Sequence, residues 1–210
     1  MANTATLSTL INAGGQSISS TTTRTGSGVS GISETLTAAK AGSLTTRTTD
    51  TTGVITTTST HGITDSDRIF IFWDGGHRRN ITVSAYDVGN KTITFTAATG
   101  GGDVLPAEGT AITVSVKVDM AVTFDGDTLQ SLMVHSTQRA VVSFEETAGG
   151  TVQAYTQILT ANETYVWHKD QGVLAATLGL TGNAITNLRA GNASTTAATL
   201  MVVAIYDSTP

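Results

Sequence analysis

Residues Arg68–Thr96 read RIFIFWDGGHRRNITVSAYDVGNKTITFT, and their pattern decides the fold class. Ile69–Trp73 is an unbroken apolar run, β-branched and aromatic, with Gly75 and Gly76 close behind it. A run that short, with that content, predicts a strand buried on both faces and not a helix. Asp74–Asn80 is polar and reads as a turn. Ile81, Val83 and Ala85 then alternate with Thr82 and Ser84, Val88–Lys91 forms a tight turn, and Ile93 and Phe95 alternate with Thr92, Thr94 and Thr96. A period of two over successive short runs separated by turn residues is the signature of antiparallel strands.

Working outward, the pattern repeats. Downstream, a Gly-rich loop over 100–109 leads to Ile112, Val114, Val116 and Val118, alternating with Thr113, Ser115 and Lys117. Upstream, His61–Gly62 is a turn and Thr64–Asp67 is polar. Four or five strands in about 60 residues predict a small SH3-like barrel over 54–117. From Asp119 the candidate strands lengthen: Val122–Phe124, Leu129–His135, Ala140–Phe144, Val152–Leu159, Tyr165–His168, Ile185–Ala190 and Thr199–Tyr206. Turns are expected at Asp125-Gly126-Asp127 and Gly149–Gly150, and an irregular segment runs to Gly182. The last strand, apolar on both faces, belongs at the centre of a sheet. Spacing of this kind predicts a β-sandwich, jelly-roll-like, over 118–210.

The first third is fainter. Leu7, Leu10 and Ile11 suit either a short helix or a docked N-terminal arm, strands are expected around Ile18, over Ile32–Leu36 and over Val54–Thr58, and Thr45–Thr52 reads as a linker. Residues 1–53 are therefore assigned to an arm and the first strands of the sandwich. The fold class is all-β: a sandwich with an inserted barrel.

Composition narrows the function. Threonine makes up about one residue in five, only 13% of residues are charged, 5% are aromatic and 39% are hydrophobic. Solvent faces of the strands are thus covered by Thr and Ser in place of Lys and Glu, which a pleated sheet accepts well. Two prolines and no cysteine remove disulfides and thiolate metal sites. A net charge of −5 argues against nucleic-acid and anionic-membrane partners. No apolar run approaches the roughly 20 residues of a membrane helix, and MANTATLSTLINAGG has neither the basic start nor the apolar stretch of a signal peptide.

The chemical motifs are weak. Gly26-Ser27-Gly28-Val29-Ser30-Gly31 matches a dinucleotide-loop spacing, but a Thr-rich run precedes it and no helix pattern follows, so it reads as a turn. His61, His77, His135 and His168 show no spacing that sets two on one face. Asp65/Asp67 and Asp125/Asp127 lack the further oxygens calcium needs, and adjacent Glu145 and Glu146 point to opposite sides of a strand. The sequons at Asn80, Asn90, Asn162 and Asn192 are chance in so Thr-rich a chain. No catalytic, cofactor-binding or metal-binding residue is assigned. The candidate interaction surface is the basic tip His77, Arg78 and Arg79, with Trp73 and Trp167; the tryptophans also suggest a carbohydrate-binding module.

FDGDTLQSLMVHSTQRAVVSF (124–144), ILTANETYVW (158–167) and ITNLRAGNASTTAATLMVVAIYDS (185–208) resemble the β-sandwich structural proteins of tailed-bacteriophage virions. THGITDSDRIFIF (60–72) is similar to the His-Gly turn that opens small barrels inserted in such proteins. The resemblance implies a non-enzymatic virion protein made in the host cytoplasm. Its role would be capsid decoration, or alternatively a place in the tail, neck or baseplate. It would act as a homo-oligomer, a trimer being the expected form, against partners such as the major capsid protein. It transfers no catalytic residue and no cofactor.

Overall fold

The computed structural model describes residues 3–13, 16–26, 28–97, 102–120, 124–125, 129–148, 151–172, 184–185 and 187–206. In chain order the strands are β1 (Asn3–Ala13), β2 (Gln16–Gly26), β3 (Gly28–Leu36), β4 (Lys40–Arg47), β5 (Thr52–Thr57), β6 (Arg68–Trp73), β7 (Gly76–Asp87), β8 (Thr92–Thr96) and β9 (Ala111–Val116). There follow β10 (Val118–Met120), β11 (Phe124–Asp125), β12 (Leu129–Ser136), β13 (Ala140–Ala148), β14 (Thr151–Leu159), β15 (Thr164–His168), β16 (Ala184–Ile185), β17 (Asn187–Asn192) and β18 (Ala198–Tyr206). The only helical turn among the described residues is the 3₁₀ segment Lys169–Gln171.

Two four-stranded sheets, β15-β12-β18-β3 and β10-β17-β13-β14, make the sandwich. Their pairings nest: β3 with β18, β10 with β17, β12 with β15 and β13 with β14, all antiparallel. First meets last, second meets seventh, third meets sixth and fourth meets fifth, so the chain is one double-stranded ribbon wrapped into two layers. That is jelly-roll connectivity. The short pair β11–β16 adds a rung alongside. Alternation in each strand sends one set of side chains inward: Leu132 and Val134 of β12, Phe144 of β13, Trp167 of β15, Leu188 of β17 and Leu200 and Val202 of β18 form one buried cluster with Leu36. Each such side chain contributes about 1.5–3 kcal/mol by leaving water. As expected, β18 lies inside its sheet.

Set into the connection from β3 to β10 is a closed six-stranded barrel, β4-β5-β8-β7-β6-β9. Leu44, Ile55, Ile69, Ile71, Ile81, Ile93, Phe95 and Val114 fill it. The barrel therefore starts at Lys40, not at residue 54, and the segment read as a linker over Thr45–Thr52 is the end of β4 and the turn into β5. The physical reason is glycine in place of apolar pattern. A Cβ on Gly42 would stand 2.4 Å from the Thr56 carbonyl oxygen, and one on Gly53 2.5 Å from that of Thr46. The two strands pack backbone to backbone, and β4 is left with Leu44 as its one buried side chain.

The first third supplies a single strand, β3, to the sandwich. Ahead of it, β1 and β2 pair with each other over eleven residues, Asn3↔Gly26 through Ala13↔Gln16, as a ribbon in neither sheet nor barrel. The short-helix option for Leu7–Ile11 is replaced by this strand. Gly126, Asp127 and Gly149–Gly150 of the expected turns, and the end of the irregular segment to Gly182, lie outside the described residues.

Candidate interface at the barrel–sandwich joint

The opening run Ile69–Trp73 is buried on both faces. Ile69, Ile71 and Trp73 point into the barrel. Phe70 and Phe72 point out of it, into a second cluster with Val141 of β13 and Ala193. Their rings lie 6.0 Å apart and 11° from parallel. Phe70 sits on Gly191 of β17, where a Cβ would come within 2.6 Å of its Cγ. Glycine is required there because the aromatic ring occupies the side-chain position. The sandwich thus receives the barrel on the outer face of β10-β17-β13-β14.

Charges surround this apolar contact. Arg189 of β17 donates through Nε to Asp119 Oδ1 at 2.9 Å and through Nη1 to Glu145 Oε2. Lys117 Nζ lies 2.8 Å from Asp119 Oδ2, and Ser143 Oγ donates to Glu145 Oε1 at 3.3 Å. Asp119, Arg189 and Ser143 are cross-strand register partners in one row, so the strand pairing itself presets the network. From the barrel, Arg79 Nη1 donates to Thr156 Oγ1 of β14 at 3.2 Å. Burial pushes the Arg79 pKa below the ordinary arginine value, while the Glu145 carboxylate works in the opposite direction. Glu145, 2% exposed, is therefore a buried acid set among arginines from both halves. Sequence reading missed it: the available signal was a lone arginine inside the apolar segment Leu188–Ala190, needing a partner.

The sequence candidates fall elsewhere than expected. His77, Arg78 and Arg79 are part of β7 and not of a solvated turn, so the outward basic tip is corrected. Arg78 is buried at 3% exposure and donates through Nη1 to the carbonyls of Asp50 and Asp103, each at 3.0 Å. It staples two loops of the barrel. The His77 backbone N–H donates to Asp103 Oδ2 at 2.9 Å; burial lowers the imidazole pKa, against the pull of Asp103 and with the push of Arg79 and Arg139. Trp73 closes the barrel core over Gly76, where a Cβ would lie 2.5 Å from the indole. Trp167, 1% exposed, belongs to the sandwich core. Neither ring offers an open stacking face for a sugar.

The histidines bond locally. His168 Nδ1 meets Ser131 Oγ at 3.0 Å and His135 Nδ1 meets Thr164 Oγ1 at 2.9 Å, each between direct register partners of β12 and β15. His61, buried, accepts through Nδ1 from the Ile63 N–H at 3.3 Å. Asp67 Oδ2 accepts from Thr64 N at 2.7 Å and from its hydroxyl at 3.0 Å, closing a turn. No group of three or more His, Asp or Glu side chains placed to hold a metal occurs among the described residues.

Fold and joint together define an all-β protein of two fused parts, a jelly-roll sandwich carrying a closed barrel in its first connection. No family model, curated protein or solved structure matches the chain.

Proposed function

We propose that this chain is a non-enzymatic structural protein of a bacteriophage virion, decorating the capsid through contacts with copies of itself and with the major capsid protein. The observation that carries the reading is the β1–β2 ribbon: eleven residue pairs that belong to neither sheet nor barrel. The ribbon touches the sandwich at β3, β12 and β18 without joining a sheet, and a two-stranded ribbon is marginal in water unless a third strand or a packed face stabilises it. A partner surface in an assembly supplies one. The jelly roll adds support by analogy, since viral capsid domains often use it. So does the joint, where the polar side chains are engaged in holding two parts together. A tail, neck or baseplate component would use the same geometry.

The test uses antibodies to the chain on phage particles purified from the source culture, imaged by electron microscopy. Label on heads is the expected result, label on tails moves the protein to the alternative, and no label overturns the reading. Removal of residues 1–26 should abolish incorporation while the sandwich and barrel still melt cooperatively.

A further inference from the structure

Native sheets blunt their edge strands with charge, proline, bulges or shortness, because an unpaired edge is a template for another chain. Three sandwich edges follow that rule in part: β10 is three residues long and carries Asp119, β15 is five residues long, and β3 carries Glu34. The fourth does not. β14, Thr151–Leu159, reads TVQAYTQIL, without a charge or a proline. It pairs with β13 over nine residues with no register shift, and among the described residues no other strand pairs with it. Ile158, at 40% exposure, is one of the few large apolar side chains left in solvent among the described residues.

We propose that β14 is the contact of a two-fold dimer, pairing antiparallel with β14 of a second copy and joining two four-stranded sheets into one continuous sheet. A two-fold contact is made by one patch against itself, so any charge in it would face a like charge close by; β14 has none. With the axis at Tyr155, Ile158 of one copy stands opposite Val152 of the other, and Gln157 opposite Gln153. The exposed isoleucine thereby gains a cross-strand register partner in the second copy. A second copy also fits better than a charged partner, for which this edge offers no counter-charge. One strand pair is a small interface, which places the dimer among the weaker, concentration-dependent associations.

The experiment is sedimentation equilibrium of the full chain over a wide concentration range, with circular dichroism to confirm the fold of each variant. The chain is expected to show a monomer–dimer equilibrium. Ile158→Lys should weaken it by at least about tenfold, and the double variant Val152→Glu with Ile158→Lys should recover most of the loss, because the new charges then face each other across the axis. A chain monomeric throughout overturns the proposal, as does a double variant no tighter than Ile158→Lys alone. Dimerisation of the purified chain supports it whether or not particles bind, so its fate is separate from that of the virion reading.

Discussion

Adding one methyl group at Gly191 should break the joint, and deleting a ring on the other side should make that methyl harmless. In Gly191→Ala the new Cβ would lie 2.6 Å from Phe70 Cγ and 2.8 Å from Phe70 Cβ. Both atoms are at the root of the side chain, so rotation of the ring gives no relief, and β6 must retreat from β17. Overpacking of this kind costs about 1–3 kcal/mol. Phe70→Ala, at a fully buried position, should cost about 3–5 kcal/mol. Combined, the two should cost little more than Phe70→Ala alone, since the alanine methyl enters space the ring has left. The expected coupling is therefore about 1–3 kcal/mol in a double-mutant cycle. The protein carries its own reporters, Trp73 in the barrel and Trp167 in the sandwich. Urea unfolding in Trp73→Phe and Trp167→Phe backgrounds reads each half separately, and Gly191→Ala should shift both transitions. Additivity within about 0.5 kcal/mol would mean that Phe70 and Gly191 do not touch, and the docked arrangement would fall with it.

Gly102 has φ +124°, and a Cβ there would stand 2.4 Å from the His77 carbonyl oxygen; Gly102→Ala should cost about 1–3 kcal/mol, and an unchanged melting temperature would contradict the close approach of this loop to β7. Glu145→Gln takes the buried counter-charge from Arg189, which keeps Asp119, and should cost about 1–3 kcal/mol by denaturant titration, with a second change, Arg189→Met, recovering part of it; no recovery would show that the pair is not coupled. His77 is held below its ordinary pKa of 6.5, first by burial and then by Arg79 and Arg139, with Asp103 opposing. Folding therefore favours the neutral ring, so its contribution is present above pH 6.5 and is lost as pH falls through that value toward the lower folded one. The slope of melting temperature against pH in that window should flatten in His77→Gln, and an identical slope would remove His77 as its source.

The parts of this fold that the sequence made legible are those where apolar side chains mark burial, on one face with a period of two or on both faces as an unbroken run. β8 and β9 alternate cleanly, β18 is apolar without a break from Leu200 to Ile205, and Ile69–Trp73 announces burial on both faces. The parts that stayed hidden are those where backbone proximity replaces side-chain burial. Gly42 and Gly53 give β4 and β5 their close contact yet look like turn residues, so the barrel expected from residue 54 misses β4 and the first two residues of β5. The hairpin of β1 and β2 has too few large apolar groups to mark a period. The joint was hidden for another reason: Phe70 and Arg79 of the barrel are far in the chain from Glu145 and Gly191 of the sandwich, and only the fold makes them neighbours. His77–Arg79 was misplaced because charge was read as exposure. Arg78 stays buried because the carbonyls of Asp50 and Asp103 accept from its Nη1 and the carboxylates of the same two residues favour its charge.

An insertion within the first connection of a jelly roll ought to hinder the ribbon that must wrap, because closing a long loop costs entropy. The barrel avoids this by bringing its own ends together. Lys40 and Val114 are register partners, so once the barrel has formed it presents β3 and β10 with neighbouring attachment points, as a short turn would. The links are too short for free movement: Thr37–Ala39 on one side and Lys117 on the other. Both are tied down. Thr37 O accepts from Asn192 Nδ2 at 3.0 Å, Ala39 N donates to Ser194 O at 2.9 Å, and Lys117 N donates to Arg68 O at 2.7 Å. With Phe70 and Phe72 pressed into the sandwich as well, the barrel is a rigid extension of one sheet and not a tethered module. That rigidity bears on the edge contact. Arg79 of the barrel reaches Thr156 in the middle of β14, so a variant that loosens the joint should also blur the edge that a second copy must read. Gly191→Ala should therefore weaken dimerisation, although Gly191 lies on β17, two strands away from the edge.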